Sequence, residues 1–164
     1  FSVSLMPDGK LETLARYGIA DKELLAQWLE RYEVIVPQPV ESSLSIEKQY
    51  CFYHRQEDWQ LLLQTMERVD PSSRKWIERV FQGVWPTYPY NMFIMKGELF
   101  TAYMEWLFEI LFALERVLIP SEDAYQKRVF GFMSERLFTL YLARLQATSP
   151  IRVGHAHIVM PGWE

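Results

Sequence analysis

The segment "YQKRVFGFMSERLFTLYL", residues 125–142, combines charged side chains and a glycine at spacings that could support chemistry. If it forms a helix, Arg128, Gly131 and Glu135 lie on one face, because positions i, i+3 and i+7 fall close together around a helix. Arg128 and Glu135 are two turns apart, which is too far for an ordinary salt bridge along the helix. Gly131 between them exposes bare backbone, although glycine costs about 1 kcal/mol relative to alanine in a helix.

Two interpretations of this helix face stay open. In the first, Gly131 forms a notch that a sugar or a phosphate group can approach, and the Arg128 guanidinium and the Glu135 carboxylate flank it. In the second, Gly131 lets another helix pack closely, and the two charges pair with other elements. Glu135 and Arg136 could also form a simple solvated pair.

The segment "YPYNMFIM", residues 88–95, places an amide directly before an apolar run. The Asn91 amide offers a donor and an acceptor to a hydroxyl-rich ligand, and Tyr88 and Tyr90 are rings that can stack against sugar faces. We therefore predict that Asn91 borders a cleft shared with the charged helix face. The alternative is an amide at a strand edge that satisfies only local backbone.

Four residues could supply zinc ligands: Cys51, His54, His155 and His157. Their spacings are loose, and the alternative is a buried thiol with incidental imidazoles, so we predict no metal site in this chain. Cys51 is the single cysteine and cannot form an internal disulfide, which favours a reducing compartment. The sequence lacks the motifs G-x-G-x-x-G, G-x-x-x-x-G-K-[ST], H-E-x-x-H, G-x-S-x-G and D-x-D.

The composition excludes several classes of protein. A net charge of −4 leaves no basic stripe for nucleic-acid phosphates, so no nucleic-acid partner is expected. The hydrophobic fraction of 49% indicates a large core or a surface that a partner covers, and a homo-oligomer stays open. The most membrane-like segment, residues 102–119, contains Glu105 and Glu109 and is therefore predicted to be a buried helix. A peripheral association with a membrane stays open, although the polar side of that helix is acidic.

Periodicity and turn residues predict one domain, residues 1–164, with a mostly helical α/β fold in which long buried helices pack on a few short strands. The helix at 97–119 is apolar nearly all round, so we predict that other elements surround it. Asp70 is predicted to cap the helix that follows it. Residues 1–20 are predicted to be irregular and residues 38–50 a loop or lid-like segment, in which a helical turn after "ESSLS" stays open. Helices are predicted at 21–32, 56–69, 72–83, 97–119 and 122–146, and strands at 33–39, 91–95 and 151–160.

Two long runs, "YNMFIMKGELFTAYMEWLFEILFALE" and "YQKRVFGFMSERLFTLYL", resemble a bacterial family labelled as a domain of unknown function, number 4422. The shorter segments "YEVIVPQP" and "YHRQEDWQ" are similar to it as well, so the resemblance spans roughly residues 22–142. Members of the family look like glycosyltransferases of capsule, exopolysaccharide and lipopolysaccharide loci. The family begins with a nucleotide-binding α/β portion, and this chain resembles the carboxy-terminal part that follows it.

The resemblance implies transfer of a sugar from a nucleotide-sugar to a surface polysaccharide or a lipid-linked acceptor, in the cytoplasm or at the inner face of the bacterial membrane. Glu135 would deprotonate the acceptor hydroxyl, and Arg128 would offset the diphosphate charge. The nucleotide-sugar donor, with or without a divalent metal, would bind the amino-terminal portion, and no cofactor is expected in this chain. The alternative is a non-catalytic helical interaction module that packs against a partner chain or that nucleotide-binding half. The predicted sugar contacts are Asn91, Tyr88, Tyr90 and Gly131.

Overall fold

Helices dominate the structure, a computed structural model that describes residues 22–156 and 158. The mostly helical α/β class predicted from the sequence is confirmed. The predictions for residues 1–20, His157 and residues 159–160 lie outside the described residues. The helices are α1 (Lys22–Arg31), α2 (Ile46–Tyr53), α3 (Gln56–Val69), α4 (Arg74–Trp76), α5 (Gly97–Glu115) and α6 (Val129–Thr148). The strands are β1 (Val34–Pro37), β2 (Ile94–Met95) and β3 (Val153–Ala156).

A small mixed sheet has the strand order β2-β1-β3. The central strand β1 runs antiparallel to β2 and parallel to β3, and Val34 lies opposite both Met95 and Val153. All four residues of β1 are buried. Its Val-Ile-Val run suits a strand covered on both faces, as predicted.

Glu33, directly before β1, ties the three strands together at one end of the sheet. Its carboxylate accepts hydrogen bonds from the Arg152 guanidinium (2.8 Å), the Arg152 backbone N–H (2.7 Å) and Lys96 Nζ (3.0 Å). The hydrogen bonds from Arg152, followed by the one from Lys96, hold the pKa of Glu33 well below its usual range. Arg152 precedes β3 and Lys96 follows β2, so one carboxylate fixes both outer strands to β1.

Helix α6 is the central helix of the part of the chain that the structure describes. The ring of Phe138, midway along it, packs at 4.9 Å from Phe93 and at 5.4 Å from Tyr103 of α5, between ring centroids. Trp59 of α3 is also fully buried, and its ring packs against Tyr50 and Phe81. Eight α6 residues are buried: Val129, Met133, Leu137, Phe138, Thr139, Leu140, Leu142 and Ala143.

The prediction that the helix after "NMFIM" is surrounded on most sides is wrong. One side of α5 is buried, through Tyr103, Leu107, Ile110 and Leu114. On the opposite side Phe108 and Phe112 are 44% and 56% exposed. Apolar composition alone does not fix which sides of a helix are covered, and here only one side meets the core. In the described part of the chain, no helix is long and apolar enough to cross a membrane.

Asp70 joins three helices, although it was predicted only as a helix cap. Its side chain makes no capping bond to the helical turn Pro71–Ser73. Instead its Oδ2 accepts hydrogen bonds from Trp106 Nε1 of α5 (2.9 Å) and from Arg144 Nη1 of α6 (2.6 Å). Burial of this carboxyl acts to raise its pKa, but the hydrogen bonds from Ser72, Trp106 and Arg144 outweigh burial and lower it.

Several element boundaries differ from those predicted. Helix α2 begins directly after "ESSLS", where a helical turn was left open, and it continues beyond residue 50; the Ser45 hydroxyl caps it by accepting a hydrogen bond from the Lys48 N–H (3.3 Å). The predicted 72–83 helix is divided into the 3₁₀ turn Pro71–Ser73, α4 and the π-helical turn Ile77–Phe81. The predicted strand 91–95 shortens to β2, because a 3₁₀ turn occupies Pro89–Asn91. A further 3₁₀ turn, Gln126–Arg128, leads into α6.

Candidate functional site

A cleft of about 570 Å³ lies where the end of α2, the Pro89–Asn91 turn and the start of α6 meet. The end of α2 supplies Tyr53, and His54 follows it directly; both are far in sequence from the other two segments. The cleft therefore depends on the tertiary fold rather than on one motif. Its lining is Tyr53, His54, Tyr90, Asn91, Tyr125, Arg128, Gly131, Phe132, Glu135 and Arg136.

The turn before β2 has an unusual backbone and is anchored to α6. Tyr90 and Asn91 have φ values of 69° and 50°, a left-handed conformation that is rare for a bulky residue such as Tyr90. The Tyr90 N–H donates to Glu135 Oε1 (3.1 Å), and Asn91 Nδ2 donates to the Gly131 carbonyl (3.2 Å). These two bonds hold the turn against the first turns of α6, with Tyr90 56% exposed at the cleft.

Glu135 is fixed in place by contacts to both of its carboxylate oxygens. Oε1 accepts from the Tyr90 N–H, and Oε2 accepts from Arg136 Nη1 at 3.3 Å. The same Arg136 atom also donates to the Phe132 carbonyl (3.1 Å). Because each carboxylate oxygen has two lone-pair sites, Glu135 keeps capacity for one more donor at each oxygen. Glu135 and Arg136 both line the cleft, and their side chains are mostly covered. Their contact is therefore not the simple solvated pair that the sequence also allowed.

Arg128 is an exposed cation that pairs with no carboxylate among the residues that the structure describes. Its guanidinium lies over the Phe132 ring, 5.5 Å from the ring centroid. Such a contact holds the planar group in one orientation while its N–H donors stay available. Arg128 can therefore bind an anionic group in the cleft.

Gly131 presents bare helix backbone to this cleft. A Cβ atom built on Gly131 meets no atom within 4 Å. The interpretation that the glycine admits a closely packed helix is therefore wrong. The observed geometry is instead a shallow notch bordered by Asn91 and Glu135.

His54 joins the cleft although the sequence suggested it only as a zinc ligand. Its ring stacks on Phe132 (centroid distance 4.1 Å) and on Tyr125 (5.7 Å), and its Nδ1 contacts Gln126 Oε1 (3.2 Å). Burial is the main cause that lowers the pKa of His54. The segment "YHRQ", residues 53–56, does not indicate that His54 contacts α6. Among the described residues no three His, Cys, Asp or Glu side chains gather to hold a metal ion, and His157 lies outside them.

Tyr88 does not line the cleft, which corrects the prediction that it contacts a sugar. Its side chain is 7% exposed and packs against Phe138 and His155. Its N–H donates to the Thr139 hydroxyl of α6 (3.2 Å). The structure thus brings Tyr90, Asn91, Arg128, Gly131 and Glu135 together and leaves Tyr88 in the core; the roles given to the five remain predictions.

A second cavity of about 300 Å³ lies along the sheet beside β1 and β2. None of the described residues around it is titratable, and Asn91 is its most polar side chain. We therefore assign no chemistry to it. Its lining is Ile35, Val36, Pro37, Asn91, Met92, Phe93, Ile94, Ala156 and Ile158.

Comparison with known proteins places the chain in a family and gives its fold a precedent. The family model described as a domain of unknown function (DUF4422) matches residues 9–146, and the chain belongs to that family. The solved ligand-free structure of the bifunctional glycosyltransferase WbbM is similar, with a TM-score of 0.80 and 24% sequence identity. That match covers 94% of this chain and 30% of the WbbM chain, so the chain corresponds to less than a third of that protein. No curated protein matches. The chain therefore has a glycosyltransferase-like fold.

Proposed function

We propose that this chain is part of a glycosyltransferase that moves a sugar from a nucleotide-sugar to a surface polysaccharide or a lipid-linked acceptor. The likeness of its fold to part of a bifunctional glycosyltransferase supports this class of reaction. The observation that carries the proposal is the cleft, where an unpaired cation, a fixed carboxylate and exposed tyrosine rings face the bare backbone of Gly131.

These groups suit the charges that develop in glycosyl transfer. The acceptor oxygen bonds to the anomeric carbon, the bond from that carbon to the diphosphate breaks, and the acceptor proton moves to Glu135. The guanidinium of Arg128 offsets negative charge on the departing diphosphate. Asn91 and the rings of Tyr90 and Tyr125 would hold the sugar, because aromatic rings cover its C–H faces while the amide bonds its hydroxyls.

The nucleoside part of the donor and any divalent metal would bind in other parts of a complete enzyme, and the diphosphate would extend from there to Arg128. Metal-binding acidic pairs of the D-x-D type are missing from the sequence. As part of this proposal, the complete enzyme works in the cytoplasm or at the inner face of the bacterial membrane.

Substitution of Gly131 tests whether the open cleft is used. Gly131→Leu in the complete gene product should place a side chain in the notch, where no atom of the protein obstructs a Cβ. We expect transfer to fall at least about tenfold, while the free energy of unfolding rises by about 0.5–1 kcal/mol because leucine is the better helix former. Gly131→Ala is the matched control, with a smaller loss of transfer. Unchanged transfer by Gly131→Leu, measured by mass spectrometry of the glycan product, would exclude this cleft.

A second candidate function, an interaction module, is favoured by the exposed side of α5. Phe108 and Phe112 stack on each other at 5.5 Å between centroids, and Ile119 beyond the helix is 83% exposed. Contiguous exposed apolar surface commonly marks an interface. The occupant we propose is the nucleotide-binding half of a longer enzyme, since the matched WbbM fold is one part of a larger chain. Binding of an apolar dye to the isolated chain, reduced by Phe108→Ser and absent in the complete protein, would support it; equal dye binding by both proteins would contradict it.

A further inference from the structure

His54 lies inside the cleft in a position that two neighbouring rings define. Its imidazole packs in an aromatic cluster with Phe132 and Tyr125, at interplanar angles of 24° and 18°. The Tyr50 ring packs at 4.8 Å from it, at an angle of 47°. These contacts fix the plane of the imidazole, so the directions in which its two nitrogen atoms point are set by the fold.

Gln126 determines which of the two imidazole nitrogens carries the proton. The Gln126 Nε2 group donates to the Tyr53 backbone carbonyl (3.1 Å), an atom that can only accept. The amide orientation is thereby set, and Gln126 Oε1 is the atom that faces His54 Nδ1 at 3.2 Å. A carbonyl oxygen requires a donor, so Nδ1 carries the hydrogen and Nε2 of the neutral ring has a free lone pair.

The surroundings favour the neutral ring. Burial is the largest influence and lowers the pKa of His54 below its ordinary value near 6.5. Arg136 acts in the same direction, whereas the hydrogen bond to Gln126 and the charge of Glu135 act against it. Arg128 lines the same cleft and adds positive charge. The neutral form, with Nε2 as an acceptor, is therefore the form present at pH 7.

We propose that His54 Nε2 accepts a hydrogen bond from a hydroxyl group of a neutral sugar ring held in this cleft. This inference rests on the proposed function and deepens it by naming a further binding residue and its ligand chemistry. Nε2 of His54 and Oδ1 of Asn91 both have no hydrogen-bond partner among the described residues. Two fixed acceptors beside the exposed rings of Tyr90 and Tyr125 match a ring that carries hydroxyl donors and apolar C–H faces.

Nuclear magnetic resonance of histidine labelled with ¹⁵N tests the inference directly. In the complete gene product at pH 7.5, long-range ¹H–¹⁵N correlations should show the Nδ1–H tautomer for His54. Titration with a panel of methyl hexopyranosides should shift the Nε2 resonance of His54 for at least one sugar and leave that of exposed His155 unmoved. A protonated Nε2 in the free protein, or no shift with any sugar up to its solubility limit, would overturn the inference.

Two substitutions separate ligand binding from structure. His54→Asn keeps a donor for Gln126 Oε1 and removes the Nε2 acceptor, so affinity for the responding sugar should fall about tenfold, the effect of about 1.4 kcal/mol. His155→Asn is the matched control, because His155 stacks on buried Tyr88 and does not line the cleft, and it should leave affinity unchanged. Equal affinity of His54→Asn and His155→Asn would overturn the assignment.

The outcomes also distinguish this inference from the proposed function. If sugars fail to reach His54 while Gly131→Leu abolishes transfer, the glycosyltransferase proposal stands and the role of His54 is wrong. If His54 responds to sugars but the complete protein transfers none to any acceptor tested, the cleft is a sugar-binding site without transferase activity. Acidification provides a further check, because sugar affinity that rests on a neutral Nε2 must fall as the pH drops through the pKa of His54, which burial lowers below 6.5. A pH-independent affinity would contradict the inference.

Discussion

Glu135 combines a structural contact with its proposed chemical role, and the two can be separated. Its Oε1 accepts the Tyr90 N–H and so supports a backbone conformation that costs of the order of 1–3 kcal/mol elsewhere. An alanine at this position would release the turn as well as remove the charge. Glutamine keeps an acceptor for the Tyr90 N–H and removes the charge together with the acceptor for Arg136, so it leaves the turn supported and is the informative substitution.

Arg128 offers a prediction at the residue scale. Arg128→Ala should lower transfer in the complete protein by about 10- to 100-fold, because a hydrogen bond to a charged group contributes about 1.5–3 kcal/mol. The free energy of unfolding should fall by no more than about 1 kcal/mol, since Arg128 is exposed and its contact within the described residues is the Phe132 ring. Initial rates of transfer and urea unfolding of each variant check both parts.

Lys127→Ala is the matched control for Arg128. Lys127 pairs with Glu122 at 3.3 Å and does not line the cleft. Arg128→Lys should give an intermediate rate, because a lysine keeps the charge but lacks the planar fork of donors. If Arg128→Ala transfers as fast as Lys127→Ala, Arg128 does not contact the reacting groups.

Residue-level prediction succeeded where helix spacing decided the outcome and failed where a turn did. Gly131 and Glu135 share one side of α6 because of their spacing, and Arg128, in the 3₁₀ turn directly before α6, lines the same cleft. Tyr88 and Tyr90 would point to the same side of an extended strand. The left-handed backbone at Tyr90 separates them, so Tyr88 enters the core while Tyr90 reaches the cleft. In "YPYN", residues 88–91, the proline is the residue that indicates a turn.

At the scale of elements, Asp70 is the polar contact that fixes α3, α5 and α6 relative to one another. It follows α3 directly, and its carboxylate binds Trp106 of α5 and Arg144 of α6. Helix α6 carries one wall of the cleft, so this junction at its far end contributes to the position of that wall.

Asp70→Asn should destabilise the protein by about 1–3 kcal/mol at pH 7, because a partly buried hydrogen-bonded charge is lost while Arg144 stays. The pKa of Asp70 is lowered in the folded protein, so its contribution is present above the unfolded value of about 3.9 and is lost as pH falls through the folded pKa. Urea unfolding of both proteins should therefore show a gap in the free energy of unfolding at pH 7 that narrows as the pH falls below about 3.9 and closes below the lowered pKa of Asp70.

Glu78→Gln is the control for that measurement. Glu78 forms an exposed pair with Arg74 at 3.6 Å, and loss of such a pair should change stability by less than about 1 kcal/mol. Equal stability of Asp70→Asn and the control at pH 7, or a gap that does not narrow as the pH falls below about 3.9, would contradict the role given to Asp70.

Strong periodicity predicted most helices, whereas tertiary contacts decided the remaining elements. Helices α1, α3 and α5 begin within one residue of their predicted starts, because apolar spacing and caps are local signals. The π-helical turn Ile77–Phe81 interrupts a segment that reads as continuous helix. His54 contacts Gln126, which lies 72 residues further along the chain. Local sequence patterns contain no information on such contacts.

At the scale of the whole molecule, the chain has the fold of one part of a larger enzyme. Its family label carries no activity, and the matched bifunctional glycosyltransferase is more than three times as long as the part that this chain resembles. In the proposed arrangement, another part of the enzyme binds the donor nucleotide, and this part provides the cleft that faces the sugar. It fits a sequence without a phosphate-binding loop.

The isolated chain should therefore bind nucleotide-sugars weakly. Calorimetric titration of residues 1–164 with UDP-, GDP- and CMP-sugars is expected to give dissociation constants no tighter than about 1 mM, or no heat at all. The nucleotide moiety has few partners here, since Arg128 and Arg136 are the two cations lining the cleft in the described part of the chain. Micromolar affinity for any of these compounds would show that the donor site lies within this chain.

The central claim, that this cleft performs sugar transfer, is tested most directly by Glu135→Gln in the complete gene product. Transfer should fall by about 10²–10⁴-fold, the usual contribution of a general base, while the melting temperature stays within about 2 °C of wild type. Glu122→Gln, at a side chain that is 97% exposed, is the control and should change neither quantity. Full transfer by Glu135→Gln, or a loss of transfer matched by a loss of stability, would contradict the account.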